Sequence, residues 1–187
     1  MSYQYGTEEW DQAYNKMIKE RLDSAPKPYI MATPEWTATF EKLIQNDEKY
    51  KEVAKTWEGS VVISILPKPE AGLEKALNMY MDLWHGQCNY VKLVPPEVAE
   101  NADYVLSGEL ERWEAVMKKE LDVVKAMMQG KIKLKGSLPM IVRYVKASLR
   151  LVELAAEIDT VFHNDLAEQE RTAYLDWFNK LRSEFGF

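Results

Sequence analysis

The sequence has little to offer as a metal ligand or nucleophile: one cysteine, Cys88, and two histidines, His85 and His163, in 187 residues. A lone cysteine closes no intramolecular disulfide, so the chain is not a stapled secreted mini-domain. Zinc wants four protein ligands, or three and a water. His85 and Cys88 fall short of that, with His163 far along the chain, and no metal is expected. No Ser/His/Asp or Cys/His arrangement stands out, and carboxylate pairs mean little among thirty acids. No catalytic residue is expected, and no cofactor.

Also missing is any apolar run near the ~18 residues that span a bilayer. The opening "MSYQYGTEEWDQAYNK" has neither the basic nor the apolar region of a signal peptide, and "SEFGF" is no peroxisomal tripeptide. The expected location is the cytoplasm. Net positive charge is lacking too. The balance of −6 argues against a nucleic-acid partner.

What is present is ordinary globular material, 47% hydrophobic and 29% charged, enough for one domain with extensions. Helical spacing of Trp10, Tyr14, Met17 and Ile18 predicts a helix over 8–22, ended by the prolines of "SAPKPY". Thr33 and Pro34 mark the start of the next helix, with Trp36, Phe40, Leu43 and Ile44 on one face. A short helix carrying Tyr50 and Trp57 follows. At Gly59 the character changes. "SVVISIL" predicts a strand over 60–66. Residues 74–85 alternate, with Leu77, Met79, Met81 and Leu83 on one face of a half-buried strand. "HGQC" suits a type II′ hairpin turn with glycine first of the central pair, and "CNYVKLV" returns. "ADYVLSG" is a fourth strand, with Ser107 placed to cap the helix after it. Asp122 opens a further helix and Gly130 closes it. "KIKLKG" is a fifth strand. Ser137 and Pro139 open a long helix to about 158. Asp165 and Glu168 suggest a capping box for a last helix over 165–184.

The charge is unevenly spread. Between Asp122 and Glu153 there is no acid, while Lys125, Lys131, Lys133, Lys135, Arg143, Lys146 and Arg150 all fall there. That island is either a face for something anionic or a solvated surface balanced by acids elsewhere in the fold. Gly130 and Gly136 flank a strand rather than a strand-to-helix turn, so "AMMQGKIKLKGS" is no phosphate loop. Nor does a lysine face without aromatics give bases a stacking platform. In the long helix the charges fall in a stripe about 80° wide at about 100° per residue. The rest of its circumference is apolar, wider than one core needs. It has two things to cover: the sheet, and either the last helix or a greasy ligand. Nine methionines suit a site that accepts varied apolar shapes, or a core that is simply Met-rich.

The run "ADYVLSGELERWEAV…ELDVVKAMMQGKIKLKGSLPMIVRYV" resembles the type-2 sterol carrier protein family. The matching positions are Asp122, Lys125, Ala126, Met127, Met128, Gly130, Lys131 to Lys135, Gly136 and Ser137. Glu120 departs from the pattern, standing where the family often has glycine. The resemblance is clear over 103–158 and weaker over 33–94. It implies an α+β fold: a five-stranded, mostly antiparallel sheet covered by helices around an apolar tunnel, without catalytic residues. Expected organisation is an N-terminal helical extension over 1–32, a lipid-binding domain over 33–158 and a C-terminal helix within 159–187. The implied ligand is a fatty acid, fatty acyl-CoA, sterol or isoprenoid lipid. Expected tunnel-lining residues are Met79, Met81, Leu83, Met117, Met127, Met128, Leu134, Met140, Tyr144 and Leu151. Lys131, Lys133, Lys135, Arg143, Lys146 and Arg150 are the expected contacts to an anionic headgroup or, transiently, a membrane surface. The alternative is an accessory or homodimerising module presenting lipids to a partner enzyme, with the helices over 8–22 and 165–184 as its interface.

Overall fold

The computed structural model describes residues 2–187. Its centre is a five-stranded sheet of order β4-β3-β2-β5-β6. The strands are β2 (Val61–Ile65), β3 (Leu77–Trp84), β4 (Gln87–Val94), β5 (Tyr104–Gly108) and β6 (Lys133–Lys135). β2 and β5 run parallel, Val61 beside Tyr104, and the other pairs are antiparallel. The fold is therefore the expected α+β layering. Strand alternation separates two faces. Leu77, Met79, Met81 and Leu83 point to the buried face, joined by Val61 and Ile65 of β2. On the opposite face a smaller cluster of Val62, Val94, Ala99 and Ala102 sits under α4 (Pro96–Glu100).

Helices α2 (Pro34–Gln45), α3 (Glu48–Val53), α5 (Leu110–Met117), α6 (Val123–Met128), α7 (Leu138–Arg143) and α8 (Val145–Ala156) cover the main face. Local chemistry sets several of their ends. Asp47 and Asp122 each accept the backbone N–H three residues on, an N-cap bond. Gly130 follows α6 at φ 71°, the left-handed stop that glycine adopts without cost.

Five local expectations are corrected. The hairpin turn is His85-Gly86, both at positive φ (48° and 76°), so it is type I′ rather than II′. A bulge at Asp82/Leu83 shifts the register that the alternation alone implied. Ser107 lies inside β5; Glu109 occupies the N-cap of α5. The last helix, α9 (Glu168–Phe185), starts three residues late, and Glu170 accepts the Ala167 N–H, while Asp165 belongs to a 3₁₀ turn. The long helix is two helices, broken at Tyr144 (φ −102°, ψ 29°).

The flanking segments meet. β1 (Tyr29–Ile30) pairs in parallel with β7 (Thr160–Val161). Helix α1 (Glu8–Ser24) packs its aromatic face on α9: Trp10 Nε1 donates to the Phe185 carbonyl at 2.9 Å, and Trp10 stacks on Tyr14. Arg21 joins three helices. Its guanidinium makes two bonds to Glu35 of α2 (2.8 and 3.2 Å) and lies 4.0 Å over the Trp177 ring of α9. Glu35 is buried, so this charge pair replaces the water its carboxylate gave up. Among the described residues, no helix is long and apolar enough to cross a membrane.

Candidate ligand cavity

Between the sheet and its helical cover lies a cavity of about 130 Å³. β2 and β3 supply its floor through Val61, Ile63, Ile65, Leu77, Met79, Met81 and Leu83. α2 and α3 add Trp36, Phe40 and Tyr50; α5 and α6 add Trp113, Met117 and Met127. α7 and α8 close the top with Ile141, Ala147, Leu151 and Ala155. Among the described residues, no charged side chain stands in this wall.

Four polar groups of the wall are spent on protein. Trp36 Nε1 donates to Thr160 Oγ1 at 2.9 Å, Trp57 Nε1 to the Gly59 carbonyl at 2.8 Å, and Trp113 Nε1 to the Ser64 carbonyl at 3.2 Å. Tyr144 donates its hydroxyl to the Thr56 carbonyl at 2.9 Å. Their ring bodies are left for the void, and an apolar void of this kind excludes water. Among the described residues, the two buried side chains with an unpartnered polar atom, Glu114 and His163, are not wall residues. Burial holds the Glu114 carboxyl above its ordinary range and pushes the His163 imidazole down to about 4.

Seven of the ten expected lining residues meet at the cavity: Met79, Met81, Leu83, Met117, Met127, Tyr144 and Leu151. Met128, Leu134 and Met140 do not. Met128 is 67% exposed, because consecutive helical residues are turned about 100° apart and Met127 takes the inward direction. Leu134 packs beside Leu106, its partner across the β5–β6 pair, and half-covers the core edge. Met140 is half-buried next to the inward-facing Ile141. Met31, Trp36, Phe40, Tyr50 and Trp57 are wall residues that sequence reasoning missed. For Trp36, Phe40, Tyr50 and Trp57 the signal was the apolar face of the two helical stretches before the five-stranded sheet; Met31, in the turn after β1, carried no such signal.

The basic island divides. Lys131, Lys133, Arg143 and Lys146 are exposed, and none forms an ion pair among the described residues. Arg150 is committed inward: it bonds Asp47 through Nε (2.9 Å) and Nη2 (2.6 Å), and Glu153 through Nη1 (2.7 Å). These bonds hold the Asp47 carboxyl below its ordinary range, and that of Glu153 as well. Lys135 turns its ammonium to the carbonyls of Glu100 and Ala102. Neither of these two is free for a headgroup, which corrects that expectation. His85 Nε2 lies 2.6 Å from Glu58, while Cys88 is buried with its thiol pushed up to about 12 by burial. Among the described residues, no group of three or more His, Cys, Asp or Glu is placed to hold a metal ion.

A family model described as the SCP-2 sterol transfer family matches residues 40–147. A crystal structure of sterol carrier protein 2 is 33% identical, with a TM-score of 0.64, over 68% of this chain and 98% of its own. The solution structure of a conserved hypothetical protein from Thermus thermophilus is 32% identical, with a TM-score of 0.65, over 74% of this chain and 96% of its own. No curated protein matches the chain in sequence.

Proposed function

Because the chain belongs to the SCP-2 sterol transfer family, a family that binds and transfers lipids, we propose that it carries the apolar part of a lipid in the cavity between sheet and helices. One observation carries this reading: an apolar void whose wall has no charge among the described residues and whose indole N–H groups and Tyr144 hydroxyl are already bonded to protein. Such a wall selects by shape and apolar contact rather than by a set of hydrogen bonds. It gains about 0.8 kcal/mol for each methylene that leaves water. An ionised carboxylate or a nucleotide would find no counter-charge inside. For a fatty acid or acyl-CoA the head therefore stays at the surface, where Lys131, Lys133, Arg143 and Lys146 stand exposed. A sterol or isoprenoid would need no such contact. Methionine-rich walls suit this range, since the thioether chain repacks around different shapes. Nothing in the cavity is arranged for general acid, base or nucleophilic chemistry, which supports binding without turnover.

The accessory-module reading has less support. The aromatic faces of α1 and α9, its expected interface, are buried against each other within one chain.

Organic extraction of the purified protein followed by mass spectrometry, together with titration by a fluorescent acyl chain, tests the carrier reading. The expected result is co-purified lipid, or saturable one-to-one uptake of the probe. A protein that repeatedly purifies empty and takes up neither acyl, sterol nor isoprenoid probes overturns it.

A further inference from the structure

A void of about 130 Å³ is the size that holds a benzene-like molecule. It is well under the roughly 300 Å³ at which small-ligand pockets begin. A long lipid chain therefore enters only if part of the wall moves. The wall helices are held very unequally. α5 buries Leu110, Trp113, Glu114 and Val116, whereas α7 buries Ile141 alone. Both ends of α7 are non-helical joints. Before it lies Gly136 at φ 130°, where a Cβ would come within 2.7 Å of the Tyr104 ring. After it lies Tyr144, which leaves helical geometry for one residue. Tyr144 also pins the joint, exchanging two 2.9 Å hydrogen bonds with the carbonyl and hydroxyl of Thr56.

The outside of this region has its own character. Among the described residues, four large apolar side chains are exposed: Trp84, Met128, Val142 and Leu149. The last three fall inside the acid-free window between Asp122 and Glu153, among exposed Lys131, Lys133, Arg143 and Lys146. Cations draw a surface toward anionic lipid headgroups, and apolar side chains among them insert at the headgroup boundary. A nucleic acid would use the cations and leave the aliphatic side chains without a partner.

We propose that α7 is the door of the cavity, latched by Tyr144 on Thr56, and that it opens against an anionic bilayer. The proposal rests on the carrier reading and adds where the ligand enters and what triggers entry. On the bilayer, Val142 and Leu149 leave water, Arg143 and Lys146 meet headgroups, and Ile141 is drawn out of the wall.

Hydrogen exchange over 138–144, read by mass spectrometry, tests the door without any ligand. Tyr144→Phe keeps the ring and removes the latch. It should speed exchange in 138–144 on the order of fivefold or more, the worth of the two exposed hydrogen bonds lost, and leave 150–156 unchanged. Vesicles of phosphatidylcholine with phosphatidylglycerol should speed the same amides in the wild type, and pure phosphatidylcholine vesicles should not. Stopped-flow uptake of a fluorescent acyl chain should quicken in Tyr144→Phe. Exchange over 138–144 unmoved by both the substitution and anionic vesicles overturns the door, even in a protein that binds the acyl chain. Equal opening on polyglutamate assigns the face to an acidic macromolecule and overturns the bilayer. Uptake of no lipid probe overturns the carrier reading and the door with it.

Discussion

The Tyr14 hydroxyl accepts the backbone N–H of Leu93 at 3.0 Å, joining the first helix to the outermost strand of the sheet. β4 is an edge strand, and its outward amides need partners. Tyr14 supplies one; the Glu41 carboxylate takes the Val91 N–H at 2.8 Å, and Gln45 donates to the Cys88 carbonyl at 3.1 Å. Tyr14→Phe keeps the stacking on Trp10 and orphans a buried N–H. The expected loss is about 1–3 kcal/mol, read as a lower urea midpoint with unchanged slope.

His163 makes folding sensitive to mild acid. Its imidazole is 2% exposed, with Nδ1 unpartnered and Nε2 at 3.2 Å from the Tyr174 hydroxyl. The folded value of about 4 lies below the ordinary 6.5, so between them the unfolded chain binds the extra proton. Stability is full above pH 6.5 and declines as the pH falls toward 4, by about 3 kcal/mol in total. His163→Gln should flatten this part of the profile. Urea midpoints at neutral pH and near pH 5 measure the difference.

A second acid-dependent element is the Asp47–Arg150 pair. Here the folded carboxyl is depressed, so its contribution is present above the unfolded value near 3.8 and lost as the pH falls below it. Arg150→Gln should cost about 1–3 kcal/mol at neutral pH and remove that strongly acidic slope. The His163 slope should persist, which separates the two in one pH series.

Gly86 tests the turn. A Cβ there would meet the Lys51 carbonyl oxygen at 2.5 Å, and φ is 76°. Gly86→Ala combines a backbone clash with left-handed strain and should destabilise by more than about 1 kcal/mol. His85→Asn, at φ 48°, suits a type I′ turn better and should leave stability equal or slightly higher.

Filling the void tests its use. Ala147 is a buried wall residue on α8. Ala147→Leu adds three carbons to the void. Melting temperature should hold or rise, while affinity for an acyl probe falls by about tenfold or more, the equivalent of at least 1.4 kcal/mol. Unchanged affinity would place the probe elsewhere.

The sheet face was legible because alternation in 74–85 is a local signal, and Met79, Met81 and Leu83 all reach the cavity. Asp122 and Gly130 act within a turn of chain and were readable. The break at Tyr144 was not, since nothing in "LPMIVRYVKASL" interrupts a helix and the latch partner, Thr56, is 88 positions away. The same distance hid the fate of two cations: Arg150 finds Asp47 at a separation of 103, and Lys135 finds Glu100 at 35. Met128 was assigned inward from the family pattern, and a single helical step decides between it and Met127.

Synthesis order gives the clasp of α1 and α9 a further meaning. Trp10 waits for Phe185, a partner 175 residues later, and Trp36 waits for Thr160, 124 residues later. A ribosome adding 5–20 residues each second leaves the Trp10 face without its α9 cover for roughly 10–35 seconds, whatever α2 and β4 shield earlier. Through that interval its greasy face is available to whatever meets nascent chains, and a stalled or shortened product keeps it so. The last helix to appear is thus what makes the first one safe in solution.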